Sequence, residues 1–155
     1  MPPRKTPKGI RKLPRYEHGI SALLIAAKEA IIRPMRSKLR DFDITEPQWR
    51  VMRVLNDRQE TDAMNLAREG VLQVSSVARI LKELEARKLV EREPDAFDRR
   101  RSIVRLTPAG YRIVDGLSSE VLRIMDEFSG RYGAERLEWL QGELSALSTA
   151  IEGVE

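Results

Sequence analysis

At 155 residues the chain has room for one domain with a proper core or for two small interlocked subdomains. Its composition, 5% aromatic and 34% charged, suits a soluble protein rich in amphipathic helices, and no apolar run approaches the ~20 residues that span a bilayer. The absence of cysteine excludes disulfides, thiolate nucleophiles and thiol redox sensors, and the net charge of +4 is concentrated at one end.

Arg4, Lys5, Lys8, Arg11, Lys12 and Arg15 stand in the first 16 residues with no acid among them, which leaves the remainder slightly acidic. Any anion site in that remainder must therefore be local. Pro2, Pro3, Pro7 and Pro14 argue against a helix in the same stretch. Residues 1–17 thus read as a basic disordered arm, either a solubilising tail or a segment that folds onto a nucleic acid or a neighbouring subunit.

From His18 to Phe42 apolar residues recur at helical spacing: Ile20, Leu23, Leu24, Ala27, Ile31, Met35, Leu39 and Phe42. Lys28 and Glu29 interrupt the apolar stretch ISALLIAAKEAII, whose flanks do not match a signal peptide. Pro34 falls inside the pattern and predicts a kink near Ile31–Pro34, or two consecutive helices. Thr45 opens the next helix as an N-cap, with Pro47 tolerated in the first turn and Gln48 at the capping-box position. Trp49, Met52, Val54 and Leu55 supply its buried positions, and residues 56–60 read as a polar break.

Two short helical patterns flank Gly70. The first contains Leu66 and Ala67; the second carries a stripe of Val77, Ile80, Leu81 and Leu84, with Arg79, Lys82 and Glu83 off it. Residues 89–93 and 102–106 read as short strands joined by PDAFDRRR, the second alternating Val104 and Leu106 against Ile103 and Arg105. Thr107-Pro108 marks a helix start, and that helix should run to about Ser129, with Gly130 and Gly133 as breakers. The last helix carries Leu137, Leu140, Leu144, Leu147 and Ile151, a coiled-coil-like seam.

Helices, a helix-turn-helix, a two-stranded hairpin and two further helices make a mainly α fold with a small β wing. A helix-turn-helix followed by a wing is a compact nucleic-acid-binding unit. The expected division is an arm at 1–17, an N-terminal dimerisation helix at 18–44, a winged helix-turn-helix at 45–107 and C-terminal dimerisation helices at 108–155.

Several residues meet in this arrangement as candidate contacts to double-stranded DNA. Gln73, Ser75, Ser76 and Arg79 fall on or near the exposed first half of the second short helix, where hydroxyls and an arginine can reach phosphates and base edges. Lys82 is a phosphate candidate. At the wing, Arg99, Arg100 and Arg101 would repel one another unless an anion lies beside them. Arg100 is the residue expected to enter a minor groove, while Asp98 holds the tip in shape and Arg99 and Arg101 meet phosphate or brace Asp98.

Asp98-x-Arg100, five residues, then Leu106-Thr107-x-x-Gly110 resembles the wing-to-helix signature of MarR-type winged-helix regulators. LAREGVLQVSSVARILKELEARKLVERE resembles that family's helix-turn-helix and first wing strand, and TEPQWRVMRVL the helix before it. The longer stretch RPMRSKLRDFDITEPQWRVMRVL is similar to the subgroup that regulates homoprotocatechuate or hydroxyphenylacetate degradation operons. Two positions depart from the family pattern. Gln73-Val74 stands where a serine or threonine usually caps the recognition helix, with Ser75 two residues on, and Lys88 stands where a glycine commonly follows that helix.

The resemblance implies a cytoplasmic homodimer that binds a pseudo-palindromic operator, a repressor released by a small phenolic or aromatic carboxylate. Its effector pocket would draw on His18, Ser21, Trp49 and Arg53. Ile20, Leu23, Leu137, Leu140, Leu144, Leu147 and Ile151 are the expected dimer contacts; the seam of the last helix exceeds what a monomer of this size requires. The alternative is a DNA-binding architectural or adaptor protein without an effector. An enzyme is not expected: one histidine and no cysteine leave no zinc cluster or Cys/His pair, and no phosphate-binding glycine loop is present. No cofactor, metal or membrane partner is implied.

Overall fold

The computed structural model describes residues 15–98 and 100–153. Most of the expected basic arm and Arg99 lie outside them. The chain divides into an N-terminal unit ending at Pro34 and a C-terminal unit beginning at Met35.

The N-terminal unit is a short 3-10 turn, Tyr16–His18, followed by helix α1, Ile20–Ile32. None of its residues is buried: Ile20, Leu23, Ile25 and Ile31 are all about half exposed or more. Helix α2, Met35–Asp41, starts on the far side of Pro34, so two consecutive helices stand where the periodicity allowed either a kink or a break.

The C-terminal unit continues with α3 (Glu46–Arg58), β1 (Glu60–Asp62), α4 (Ala63–Glu69), α5 (Val74–Ala86), β2 (Val90–Pro94), β3 (Ser102–Leu106), α6 (Pro108–Tyr132) and α7 (Ala134–Ile151). Thr45 caps α3 in a reciprocal box: its hydroxyl accepts from the Gln48 backbone, and the Gln48 side chain accepts from the Thr45 backbone. Thr107 caps α6 by accepting from Gly110 N–H, with Pro108 in the first turn. That helix runs through Gly130 and stops at Gly133, which takes a positive φ of 97°.

Met52, Leu55, Leu66, Val77, Ile80, Leu81, Leu84, Val104 and Leu117 are sealed from solvent and form one core with Met35 and Leu39 of α2. The expected apolar stripe of α5 is buried as read, and Val51 joins Trp49, Met52 and Leu55 on the inner face of α3, whereas Val54 is half-buried.

The wing has three strands where two were expected. β3 is the middle strand of an antiparallel sheet ordered β1-β3-β2, with Thr61 opposite Val104 and Arg92 opposite Val104 on the other side. The added strand lies in the region read as a polar break. Arg105 crosses the sheet and donates to Glu60 on β1 at 2.9 Å and to Glu93 on β2 at 3.1 Å.

Three helices end in the same device. After α2, Ile44 N–H reaches Leu39 O and Asp43 N–H reaches Arg40 O; Leu72 and Val71 do the same to Ala67 and Arg68 after α4, and Leu89 and Lys88 to Leu84 and Glu85 after α5. These paired bonds define a Schellman stop, which requires a left-handed residue at its penultimate position. Asp43, Val71 and Lys88 occupy that position with φ of 53°, 51° and 56°, so none of the three left-handed positions is a glycine.

Candidate nucleic-acid interface

Helix α5 places Ser75, Arg79 and Lys82 at i, i+4 and i+7, a row opposite the buried stripe of Val77, Ile80, Leu81 and Leu84. All three of that row are exposed, Ser76 is half-buried at its flank, and Gln73 is exposed just before the helix. The helix begins at Val74 with Gln73 as N-cap and no side-chain capping bond, so Ser75 lies inside the first turn and does not cap it. The N-terminal N–H groups of α5 therefore lack a side-chain cap from Gln73, and such groups suit a phosphate oxygen.

Arg79 is held in place. It donates to Glu83 Oε1 at 2.9 Å, and Glu83 Oε2 accepts from Gln48 Nε2 at 3.0 Å. Gln48 also closes the capping box of α3, so an unbroken chain of bonds runs from the start of α3 to the exposed face of α5. The turn before α5 is fixed by a second arginine: Arg50 Nη1 donates to the carbonyls of Gly70 and Val71 at 2.9 and 3.0 Å, with Glu46 3.1 Å from its Nε.

The wing tip is built on two aspartates. Asp95 Oδ1 accepts from the N–H groups of Phe97 and Asp98, and Asp98 Oδ1 accepts from the N–H of Arg100 at 3.0 Å and its Nε at 3.1 Å. Backbone bonds Asp95 N–H to Arg101 O and Arg101 N–H to Asp98 O close the loop. The Arg100 side chain, foremost, and its backbone N–H hold the Asp98 carboxyl below the ordinary range. Arg100 is nonetheless 92% exposed, braced at its base and open at its end.

Arg101 turns the other way. Its guanidinium bonds Asp62, the N-cap residue of α4, whose Oδ1 already accepts from Asn65 N–H at 2.9 Å. Burial alone would raise the Asp62 carboxyl; the Asn65 and Arg101 hydrogen bonds outweigh it and leave it lowered. The Arg101 side chain thus ties the root of the wing to the start of the helix-turn-helix, while its backbone N–H holds Asp98. Beside this pair lies a cleft of about 510 Å³ lined by Asp62, Met64, Asn65, Arg92, Arg100 and Arg101.

The expected effector residues are divided between the two units, His18 and Ser21 in the first and Trp49 and Arg53 in the second. His18 and Ser21 are exposed in the N-terminal unit, His18 lying 3.5 Å from Glu17. Trp49 is buried on α3, and the Arg53 guanidinium stands 5.8 Å from its ring centroid, within cation–π range. Trp49 belongs to the hydrophobic core. Of the expected dimer contacts, Leu137, Leu140 and Leu147 are half-buried, and Ile20, Leu23, Leu144 and Ile151 are exposed.

Sequence reasoning missed Asp62, Gln48, Glu83 and Arg50 as supports for the candidate contacts. Gln48 carried a signal in its capping-box spacing and Glu83 in standing four residues after Arg79; the links of Asp62 to Arg101, Glu83 to Gln48 and Arg50 to Gly70 are made by folding across 39, 35 and 20 residues. Among the described residues no helix is long and apolar enough to cross a membrane, and no cluster of metal-ligating side chains occurs.

Comparison with known proteins places these features in a family. The MarR family model matches residues 42–101, which spans α3 through most of the wing. The HTH-type transcriptional regulator FarR of Neisseria gonorrhoeae is 31% identical over 125 residues, 81% of this chain and 86% of that protein. The homoprotocatechuate degradative operon repressor of Escherichia coli is 25% identical over 121 residues, 78% of this chain and 82% of that protein. Among solved structures, NadR in complex with 4-hydroxyphenylacetate superposes with a TM-score of 0.78 at 29% identity, covering 88% of this chain and 97% of that one.

Proposed function

The chain belongs to the MarR family of transcriptional regulators, and from that premise we propose that it is a homodimeric repressor released from its operator by a small aromatic acid. The observation that carries the DNA-binding part is the bare row of Ser75, Arg79 and Lys82 on α5, combined with a wing that projects Arg100 at 92% exposure. In this reading α5 lies in a major groove. Gln73, Ser75, Ser76 and Lys82 meet phosphate or base edges, Arg79 reads a guanine, and Arg100 enters the neighbouring minor groove. Arg101 and Asp98 fix the wing, and Arg99 and the basic arm add charge.

The dimer is supported by α1 and α7, neither of which buries a residue within one chain despite Ile20, Leu23, Leu144, Ile151 and Trp139. A second copy would cover these faces and set two α5 helices roughly 34 Å apart, one DNA turn. The effector part rests on relatives: NadR holds 4-hydroxyphenylacetate, and another relative is named for homoprotocatechuate degradation. His18, Ser21 and the Trp49–Arg53 pair are the proposed lining, Arg53 meeting the carboxylate.

The test is a titration of the purified protein against a duplex recovered by selection from random DNA. Sequence-preferring binding by a dimer, weakened by 4-hydroxyphenylacetate or a related acid, supports the reading. A stable monomer in light scattering, or binding with no sequence preference at any salt concentration, overturns it.

A further inference from the structure

The wing tip carries a side chain that the charge-based reading of the loop leaves without a purpose. Phe97 is 101% exposed, so its ring is not packed against the described residues. It does not sit on a loose strand. Its N–H is bound by Asp95 Oδ1 at 2.8 Å, the next N–H is bound by the same oxygen, and the loop is closed by the Asp95–Arg101 and Arg101–Asp98 backbone bonds. The same short turn projects Arg100, braced by Asp98. Among the described residues the tip therefore displays Arg100 and Phe97, three positions apart, each with its backbone N–H bound by an aspartate.

Full exposure forfeits every benefit of burying a phenyl ring. The nearest solution partner with matching chemistry is the one Arg100 is suited to: a groove with a strongly negative potential and apolar sugar and base faces inside. Proteins that enter minor grooves press apolar side chains against or between base steps, and flexible pyrimidine–purine steps yield most readily. The geometry points to Phe97 as a second DNA-reading residue of the wing, packing its ring against a minor-groove base step next to the Arg100 contact and favouring TA or CA/TG there. The inference rests on the proposed DNA-binding role of the wing.

The experiment uses the full-length protein and the duplex selected from random DNA, with wild type, F97A, F97L, R100A and R79A titrated over a range of salt concentrations. F97A should lose roughly tenfold in affinity, the scale of an aromatic–base contact, with an unchanged salt slope because an uncharged ring neutralises no phosphate and releases no counterion. R100A should lose affinity and lower the slope by about one for each wing engaged. F97L keeps an apolar wedge and should stay within about threefold of wild type. A 2-aminopurine at the wing-facing step should brighten with wild type and much less with F97A. Exchanging that step for GG should cost wild type more than F97A. Because the ring is fully exposed, F97A should melt with wild type.

If F97A binds like wild type while R79A and R100A bind poorly, the DNA-binding reading stands and the Phe97 assignment falls. If F97A lowers the salt slope as R100A does, the ring acts only through the arginine and the assignment also falls. If wild type, R79A and R100A bind DNA alike, the underlying reading fails and takes this inference with it.

Discussion

Gln48 on α3 donates to Glu83 on α5 at 3.0 Å, and the opposite oxygen of Glu83 accepts from Arg79 at 2.9 Å. Gln48 is only 6% exposed and also accepts from Thr45 N–H. One amide therefore caps the supporting helix and orients the carboxylate that sets the arginine on the candidate reading helix. A capping box alone would accept glutamate as readily as glutamine. Here the donor end of the amide is required, because it faces a carboxylate.

Replacing Gln48 separates these roles. Gln48→Ala should lower stability by about 1–2 kcal/mol, the combined scale of a lost cap partner and a buried hydrogen bond. Gln48→Glu keeps the box but sets two carboxylates together, and should be the worse variant at pH 7. Its deficit should shrink as pH falls into the range where carboxylates protonate. Urea unfolding of the three proteins at pH 7 and pH 4.5 checks this; a Gln48→Glu protein as stable as wild type at pH 7 would contradict the shared-amide arrangement.

Asp62 joins the start of α4 to the wing root through Arg101, and its carboxyl sits below the ordinary value of 3.8. A carboxyl lowered by folding stabilises the protein above its unfolded pKa, and that contribution is lost as pH falls through the folded value. Wild type should therefore exceed Asp62→Ala by about 1–2 kcal/mol at pH 7, mostly from the cap, since Arg101 is half exposed and screened. The gap should narrow only below about pH 4. Chemical unfolding across pH 3–7 measures it, and a gap that widens toward acid would reverse the assignment.

Arg79 and Arg100 should matter for binding and not for folding. Arg79 is 69% and Arg100 92% exposed in their side chains, so alanine at either position removes no core contact. Each should weaken binding of the selected duplex by roughly tenfold or more, the scale of ~1–3 kcal/mol for a good base contact. Arg79→Ala should also relax preference at one base pair of each half-site, which Arg100→Ala should not. Fluorescence anisotropy with single-base variants of the site distinguishes them, and equal relaxation by both would refute the division of roles.

Much of this was legible in residue order. The period of α5, the Thr45 and Thr107 caps and the alternation of β3 depend on neighbours a few positions away, and each stands as read. β1 was not legible, because Glu60-Thr61-Asp62 has no apolar alternation and is a strand only by virtue of β3 beside it. The orientation of Arg101 was hidden for the same reason, its partner lying 39 residues away. The helix ends were obscured by the residues that form them: Gly70 keeps an ordinary φ of −77°, and Val71 beside it takes the left-handed turn.

Glycine is required at one position of the Leu106-Thr107-x-x-Gly110 segment for want of space. A Cβ on Gly110 would lie 2.2 Å from the carbonyl oxygen of Leu89 and 3.0 Å from Leu106, because α6 rests directly on the start of the wing. Gly110→Ala should cost about 3 kcal/mol or more, since backbone must move. Gly130 lies in the same helix with nothing within 4 Å of the added carbon, so Gly130→Ala should stabilise by about 1 kcal/mol. Thermal melts of the two variants should shift in opposite directions; a rise in both would show that helix propensity outweighs the contact with Leu89, and a fall in both would refute the gain at Gly130.

The left-handed turns at Val71 and Lys88 offer the reverse substitution. Val71 is β-branched, 80% exposed and held at φ 51° after α4, where Arg50 bonds its carbonyl. A left-handed L-residue costs roughly 1–2 kcal/mol, against which glycine loses somewhat less than 1 kcal/mol through its freer unfolded chain. Val71→Gly should therefore gain about 1 kcal/mol, and Lys88→Gly, whose side chain is unbranched, somewhat less. The Schellman bonds of Leu72 and Leu89 use backbone only and should survive in both. Combined, the two changes should add, since they lie in different turns and share no hydrogen-bond partner. Urea midpoints at constant m measure this, and a loss of stability in Val71→Gly would mean that the exposed valine side chain makes a stabilising contact in the assembled protein.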